Sequence, residues 1–289
     1  MARLGLTKGW LVDYYTAVAA AMVPHLAGHP LTLHRFPDGV DGVHWYETRA
    51  PAHPPWVRTV TFRMRRTGKV FDVCVVDDLP SLVWAAQMAA IELHPFLGTV
   101  CDLERPATMV FDLDPGFPAT LVDCCRVALR IRDVLAGLGV RAWAKTSGGV
   151  GLHLVVPLNT ATTYDRTKAF ARAVAGLLER DAPGSVTATM TKADRPGKVF
   201  VDWSQNDAGK STVAPYSLRG FEVPTVSTPV TWDEVEAVTA SGDAGGLTFL
   251  PTDALRRLEG GDLFAPVLSV AQILPGGSGS GIGEGPPHA

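Results

Sequence analysis

The 289-residue chain is 46% hydrophobic, enough to bury one large core or two small ones, and carries 26 basic against 29 acidic residues. A formal net charge of −3 excludes the strongly basic composition of many nucleic-acid binders and leaves only a local basic groove for such a role. No apolar run reaches the ~18 residues of a membrane span, and the opening MARLGLTKGW lacks the apolar core of a signal peptide. The cysteines Cys74, Cys101, Cys124 and Cys125 have no metal-ligand spacing and indicate a reduced, intracellular protein, with Cys74 in the core.

In chain order, residues 11–26 read as a helix ending at Gly28, and a short strand follows over 31–35. A turn-rich loop covers 36–55. Residues 57–64 and 70–76 alternate as a hairpin around Thr67 and Gly68. A helix is expected over 81–93, a strand over 108–113 and a helix over 122–138. Strands at 141–145 and 152–157 flank a glycine turn, a helix is centred on Phe170 to Leu178, and a strand spans 198–202. Helices at 231–240 and 252–259 close the pattern. Strands and helices mix without strict βαβ repetition, so the fold class is α/β with a substantial antiparallel component. From Gly276 onward, GGSGSGIGEGPPHA cannot build a core.

The strongest chemical signal is MVFDLDPG, an apolar strand ending in Asp112 and Asp114. Strand periodicity places both carboxylates on one face and Phe111 and Leu113 on the other. Two such neighbours repel, so one is expected to hold a proton unless a divalent cation resolves the conflict. KVFVDWSQN supplies a third carboxylate, Asp202, at another strand end. Three oxygen-only ligands suit Mg²⁺ or Mn²⁺, and two ions about 3.5–4 Å apart serve in-line phosphoryl transfer. An isolated DxD is more often turn chemistry, so the neighbouring motifs decide its weight.

KTSGGVGLHLVVPL is strand, glycine turn, strand. Gly148, Gly149 and Gly151 let backbone N–H groups approach an anion. Ser147 and His153 are candidate phosphate donors, against the ordinary reading of a hairpin with a satisfied histidine. Arg219 in STVAPYSLRG and Arg195 in KADRPGKVFVD carry forks suited to phosphate, or are surface arginines. Arg58, Arg63, Arg65, Arg66 and Lys69 make one basic hairpin, read equally as a DNA-backbone contact or a solvated face.

Together LVDYYTAVAAAMVPHLAGHPLTLHRFPDGVDG, SLVWAAQMAAIELHPF, MVFDLDPG, KTSGGVGLHLVVPL, KVFVDWSQND and STVAPYSLRG resemble, in order, the polymerase domain of bacterial DNA ligase D. That domain is a branch of the archaeo-eukaryotic primase superfamily. The resemblance implies a primase-like catalytic fold, an RRM-like mixed sheet packed with a second α/β module, in a single domain taken over residues 1–270; the Gly/Ser/Pro-rich composition makes 271–289 an expected disordered tail. It implies a template-dependent nucleotidyltransferase that fills short gaps and extends DNA ends in non-homologous end joining, uses ribonucleotides, and works with Ku and a ligase. It implies two Mn²⁺ or Mg²⁺ ions on Asp112, Asp114 and Asp202, and triphosphate contacts from Ser147, His153 and Arg219. Arg195 and Gln205 would stand beside the centre and His94 near the sugar. Trp45 and Tyr46 would stack on bases, worth about 1–3 kcal/mol per base. Lys8, Arg35, Arg63, Arg65 and Arg66 are the candidate DNA contacts. A bacterial cytoplasmic location near the nucleoid follows.

Three departures remove cations: Val150, His34 and Thr48 stand where the family commonly has lysine, which predicts weaker nucleotide or template binding unless Arg35, Arg49 or Lys145 compensates. The family's N-terminal preamble is missing, which leaves Lys8 as the candidate for a downstream 5′-phosphate. No ligase sequence follows, so a stand-alone polymerase or a separately encoded ligase is expected. The rival functions are a metal-dependent nuclease, a primase starting chains de novo, and a non-catalytic DNA-end adaptor.

Overall fold

The computed structural model describes residues 7–276. Helix α1 (Lys8–Leu26) starts earlier than its apolar pattern because Thr7 caps it, its hydroxyl accepting from Trp10 N. Five strands follow in the first half: β1 (Pro30–Arg35), β2 (Trp45–Glu47), β3 (Thr59–Arg63), β4 (Val70–Val75) and β5 (Ala90–Pro95), with α2 (Leu79–Gln87) before the last. Strand β1 takes β5 along one edge, and β4 and then β2 along the other, all antiparallel. The β3–β4 hairpin closes at Gly68, whose φ of 67° suits glycine. Helices α1 and α2 cover this sheet, burying Tyr15, Val18, Met22, Leu82 and Cys74 in one core.

Two readings from sequence change here. The helix expected over 81–93 stops at Gln87; Ala89 turns the chain at φ 58°, and 90–95 pairs with β1 instead. A continuous apolar run suits a strand buried on both faces as well as a helix, and only pairing decides. Trp45 and Tyr46, expected in a loop, lie on β2.

A short ribbon, β6 (Gly98–Thr99) with β7 (Asp102–Pro106), leads to the second sheet. Its strands are β8 (Thr108–Pro115), β9 (Trp143–Thr146), β10 (Leu152–Pro157), β11 (Val186–Thr187), β12 (Val199–Asp202) and β13 (Pro229–Val230). Their order is β11-β12-β8-β10-β9-β13, antiparallel except at β11–β12. Helices α3 (Leu121–Gly137), α4 (Tyr164–Asp181) and α5 (Trp232–Ser241) bury one face of it. The period of two in β8 sends Met109, Phe111 and Leu113 into that helix-side core. Asp112 and Asp114 therefore face the other way, toward the first sheet. Helix α6 (Pro251–Leu258) returns to pack on α1.

Residues 271–276, counted with the tail from sequence, are held on the body: Gln272 N donates to Leu158 O at 2.8 Å, and Leu274 joins the helix-side core. One polar and one apolar side chain anchor the start of the stretch set apart as a tail; residues 277–289 lie outside the described residues. No helix among the described residues is long and apolar enough to cross a membrane.

Candidate active site

Strand register builds the centre as one row. Asp202 on β12 pairs with Asp112 on β8, Asp112 with His153 on β10, and His153 with Lys145 on β9. Along the row, His153 Nε2 stands 3.1 Å from Asp112 Oδ1 and Lys145 Nζ 3.0 Å from His153 Nδ1. An ionised carboxylate only accepts, so Nε2 carries the ring proton and Nδ1 accepts from the amine. Lys145 also donates to Ser227 Oγ at 2.7 Å and is only 2% exposed. Gln205 donates to Asp112 at 3.3 Å and to Asp202 at 3.1 Å, and Ser204 donates to Asp202 through its N–H and hydroxyl.

The charges sort as two crowded carboxylates must. Burial opposes ionisation of Asp112, but His153, Lys145 and Gln205 outweigh it and hold its carboxyl below the usual range. For Asp114, which lies one pleat further out and opens on the cleft, desolvation and then the charges of Asp112 and Asp202 push the carboxyl up to about 7. Burial lowers both Lys145 and His153, so each resists carrying an extra proton. Three oxygen-only donors with surplus negative charge fit divalent ions of the Mg²⁺ or Mn²⁺ kind.

The SGGVG turn joins β9 to β10 beside this row. Ser147 Oγ accepts from Gly149 N at 3.2 Å and Gly151 N at 3.1 Å, folding the turn around its own side chain. A Cβ on Gly151 would meet Leu113 O at 2.4 Å, so the turn can lie against β8 only with glycine there. Arg219 Nη1 donates to Ser147 O at 2.5 Å, tying the guanidinium to the turn. Val150, 69% exposed, sits at the tip. Tyr46, His94, Asp112, Asp114, Ser147, Val150, His153, Gln205, Arg219 and Phe221 are among the walls of a cleft of about 490 Å³.

Several expected residues are placed differently. Tyr46 stacks on His34, 3.9 Å between centroids, and lines the cleft, whereas Trp45 points across the strand to pair with Arg35 at 5.3 Å. Arg35 is committed to Glu47 and the Met88 carbonyl. Arg195 lies 3.7 Å over the ring of Phe200, the residue that pairs with Asp114, and donates to Met190 O. Lys8 is exposed on the first turn of α1, outside the cleft walls. Arg63 and Arg66 are exposed near the hairpin tip, and Arg65 is bonded to Glu104.

Sequence reasoning missed Glu92. It hid inside the stretch read as helix, and the alternation of Glu92 with His94 on a strand was the available signal. Glu92 accepts from His94 Nε2 at 2.9 Å and from Gly220 N at 3.0 Å, and meets His34 Nδ1 and Arg219 Nε at 3.1 Å each. Burial would raise its carboxyl; His34, His94 and Arg219 outweigh that and hold it well below the carboxylate range. The ligand atoms of His34, Glu92 and His94 lie within 4.8 Å of one another, a second group able to hold a metal ion. Arg219 already supplies its counter-charge, which the three-aspartate group lacks at such close range.

Residues 7–263 match the family model described as LigD, primase-polymerase domain. The chain belongs to this family. It is 41% identical over 273 residues to the multifunctional non-homologous end joining protein LigD of Mycolicibacterium smegmatis, covering 93% of this chain and 35% of that protein. It is 31% identical to the corresponding protein of Pseudomonas aeruginosa, covering 95% of this chain and 32% of that one. The chain thus spans about a third of the length of these curated LigD relatives. The solved polymerase domain from Mycobacterium tuberculosis Ligase D in complex with DNA superposes with a TM-score of 0.85 at 36% identity, covering 94% of this chain and 95% of that one. The resemblance read from the motifs and the primase-like mixed fold are both upheld.

Proposed function

We propose that this LigD primase-polymerase domain adds nucleotides to a DNA 3′ end, copying a template across short gaps and broken ends in non-homologous end joining. The observation that carries this reading is the facing of Asp112 and Asp114 into the same cleft as the SGGVG turn and Arg219, with Asp202 paired to Asp112 across the sheet. Asp112, Asp114 and Asp202 would hold two Mn²⁺ or Mg²⁺ ions. Such ions, when bound, supply the positive charge that activates a 3′-hydroxyl and stabilises departing pyrophosphate.

The chain's own residues do the rest. His153 and Gln205 hold Asp112, and Gln205 and Ser204 hold Asp202, so the carboxylates keep one geometry as charge develops. The Ser147 hydroxyl proton, Arg219 and the turn N–H groups not already given to Ser147 receive the triphosphate, and the cleft orients it in line with the attacking oxygen. Tyr46 offers its ring to the incoming base, and His94 stands by the sugar. Ribonucleotides are accepted as substrates. Gapped or primer-template DNA lies across the mouth of the cleft, with the exposed Arg63 and Arg66 and Lys8 as backbone contacts. DNA ends, nucleoside triphosphates, Ku and a ligase are the proposed partners, in the bacterial cytoplasm at the nucleoid; of these, the names of the LigD relatives support only a role in non-homologous end joining.

A nuclease would also use three carboxylates, but the triphosphate-handling turn would then have no purpose. An end-labelled gapped duplex with Mn²⁺ separates the two. Lengthening that requires triphosphates supports the polymerase; shortening without them supports the nuclease and overturns this reading.

A further inference from the structure

Glu92 is a buried carboxylate that the three-aspartate centre does not account for. It lies on β5 behind the cleft wall, only 3% exposed, and is not among the lining residues. Its oxygens face two ways. One takes the Gly220 N–H and the Arg219 side; the other takes His94 and faces His34. His34 in turn meets His44 Nδ1 at 2.9 Å through its Nε2 and stacks on Tyr46 at an interplanar angle of 18°. Three cleft-lining groups from three separate segments, Tyr46, His94 and Arg219, are thereby referred to one carboxylate.

The chemistry of that carboxylate is specific. It only accepts, so it fixes His94 with the proton on Nε2 and leaves Nδ1 as a lone pair. His34 Nδ1 and Arg219 Nε are both buried without a linear hydrogen bond, and both stand beside Glu92. The donors around Glu92 thus exceed what its geometry satisfies at once. A glutamine of the same shape does not replace it without a change of histidine tautomer. Its NH₂ would have to face either Gly220 N–H and Arg219, or His94 and His34, and all four are donor groups in this arrangement.

We propose that Glu92 is the positioning residue of the nucleotide pocket, holding Arg219, His94 and, through His34, Tyr46 in the arrangement that receives a nucleoside triphosphate. This rests on the polymerase reading, and Glu92 itself touches no substrate.

The test is calorimetric titration of a non-hydrolysable nucleoside triphosphate, with Mn²⁺, into the full chain bound to gapped duplex, paired with ¹⁵N spectra of the histidine rings. Glu92→Gln should weaken nucleotide binding about tenfold and leave duplex affinity unchanged, the net loss of a charge-assisted contact. It should also convert His94 from the single Nε2–H form to a mixture, which a merely structural loss elsewhere would not do. Glu92→Asp keeps the charge with shorter reach and should fall between. Affinity of Glu92→Gln within about twofold of the parent, or an unchanged His94 tautomer, overturns the proposal. Should Glu92→Gln not fold, parent-like nucleotide affinity in Glu92→Asp overturns it equally. A parent chain that binds no triphosphate defeats the polymerase reading instead, which the His94 spectra of the free chain distinguish from a failure of the Glu92 clasp.

Discussion

His153 Nε2 stands 3.1 Å from Asp112 Oδ1, its direct partner across the β8–β10 pair. The contact belongs to a row in which Lys145 orients His153 and His153 orients Asp112, while Gln205, from the turn after β12, bridges Asp112 to Asp202. A centre built on register is as rigid as the sheet beneath it. His153→Ala should weaken Mn²⁺ binding and nucleotide addition roughly 10–100-fold, the usual consequence of removing a ligand's supporting partner. Lys145→Met should act in the same direction, and the double variant should fall short of the sum of the two losses because both act on Asp112. Mn²⁺ titration followed by electron paramagnetic resonance reads both; full additivity would mean that Lys145 does not act through His153.

Asp114 gives the metal-free protein a pH signature. Its carboxyl is pushed up to about 7, above the ~3.9 of an unfolded chain. The folded state therefore binds more protons in between, and this group's contribution to stability is intact below about pH 4 and declines as pH rises to about 7. Asp114→Asn should melt higher than the parent at about pH 8 without metal and no differently at about pH 4. Mn²⁺ should raise the parent's melting temperature more at the higher pH, where no proton competes. A metal-free Asp114→Asn that melts below the parent at the higher pH contradicts this.

Val150 stands 69% exposed at the tip of the SGGVG turn on the cleft wall. Val150→Lys would add a mobile cation where triphosphate is expected, worth about 1 kcal/mol at such an exposed site, or roughly fivefold in nucleotide affinity. The gain should shrink as salt rises. Nucleotide titrations at low and high salt check it; an affinity no better than the parent's at low salt would show that Val150 does not face the phosphates.

Asn206, fully buried, stands in for a strand beside β8. Its amide accepts from Val110 N at 2.8 Å and donates to Val110 O at 2.7 Å, two residues before Asp112. Asn206→Ala would orphan both backbone groups at a cost of about 2–4 kcal/mol. Urea unfolding should show that loss; a change below about 1 kcal/mol would mean that water replaces the amide without penalty.

How far the sequence led depends on which interactions are local. The facing of Asp112 and Asp114, the expectation that one would hold a proton, and the glycine turn beside His153 all follow from strand period and short-range chemistry. Lys145 was legible only as a possible compensating cation, because its burial comes from Ser227 and His153 across the sheet. Glu92 was invisible because MAAIELHPF satisfies a helix and a doubly buried strand alike, and only pairing with β1 chooses. Trp45 and Tyr46 read as an equivalent pair, yet alternation on β2 sends only Tyr46 to the cleft. Leu274, inside the tail expected at 271–289, is placed only by the core that receives it.

The most direct measurement is primer extension on a short-gapped duplex with Mn²⁺, using ribo- and deoxyribonucleoside triphosphates, beside an Asp112→Ala/Asp114→Ala control. The account predicts extension by the parent with both sugars and none by the control. Folded parent protein that binds the duplex yet adds no nucleotide would contradict it, and would favour a DNA-end adaptor built on the same fold.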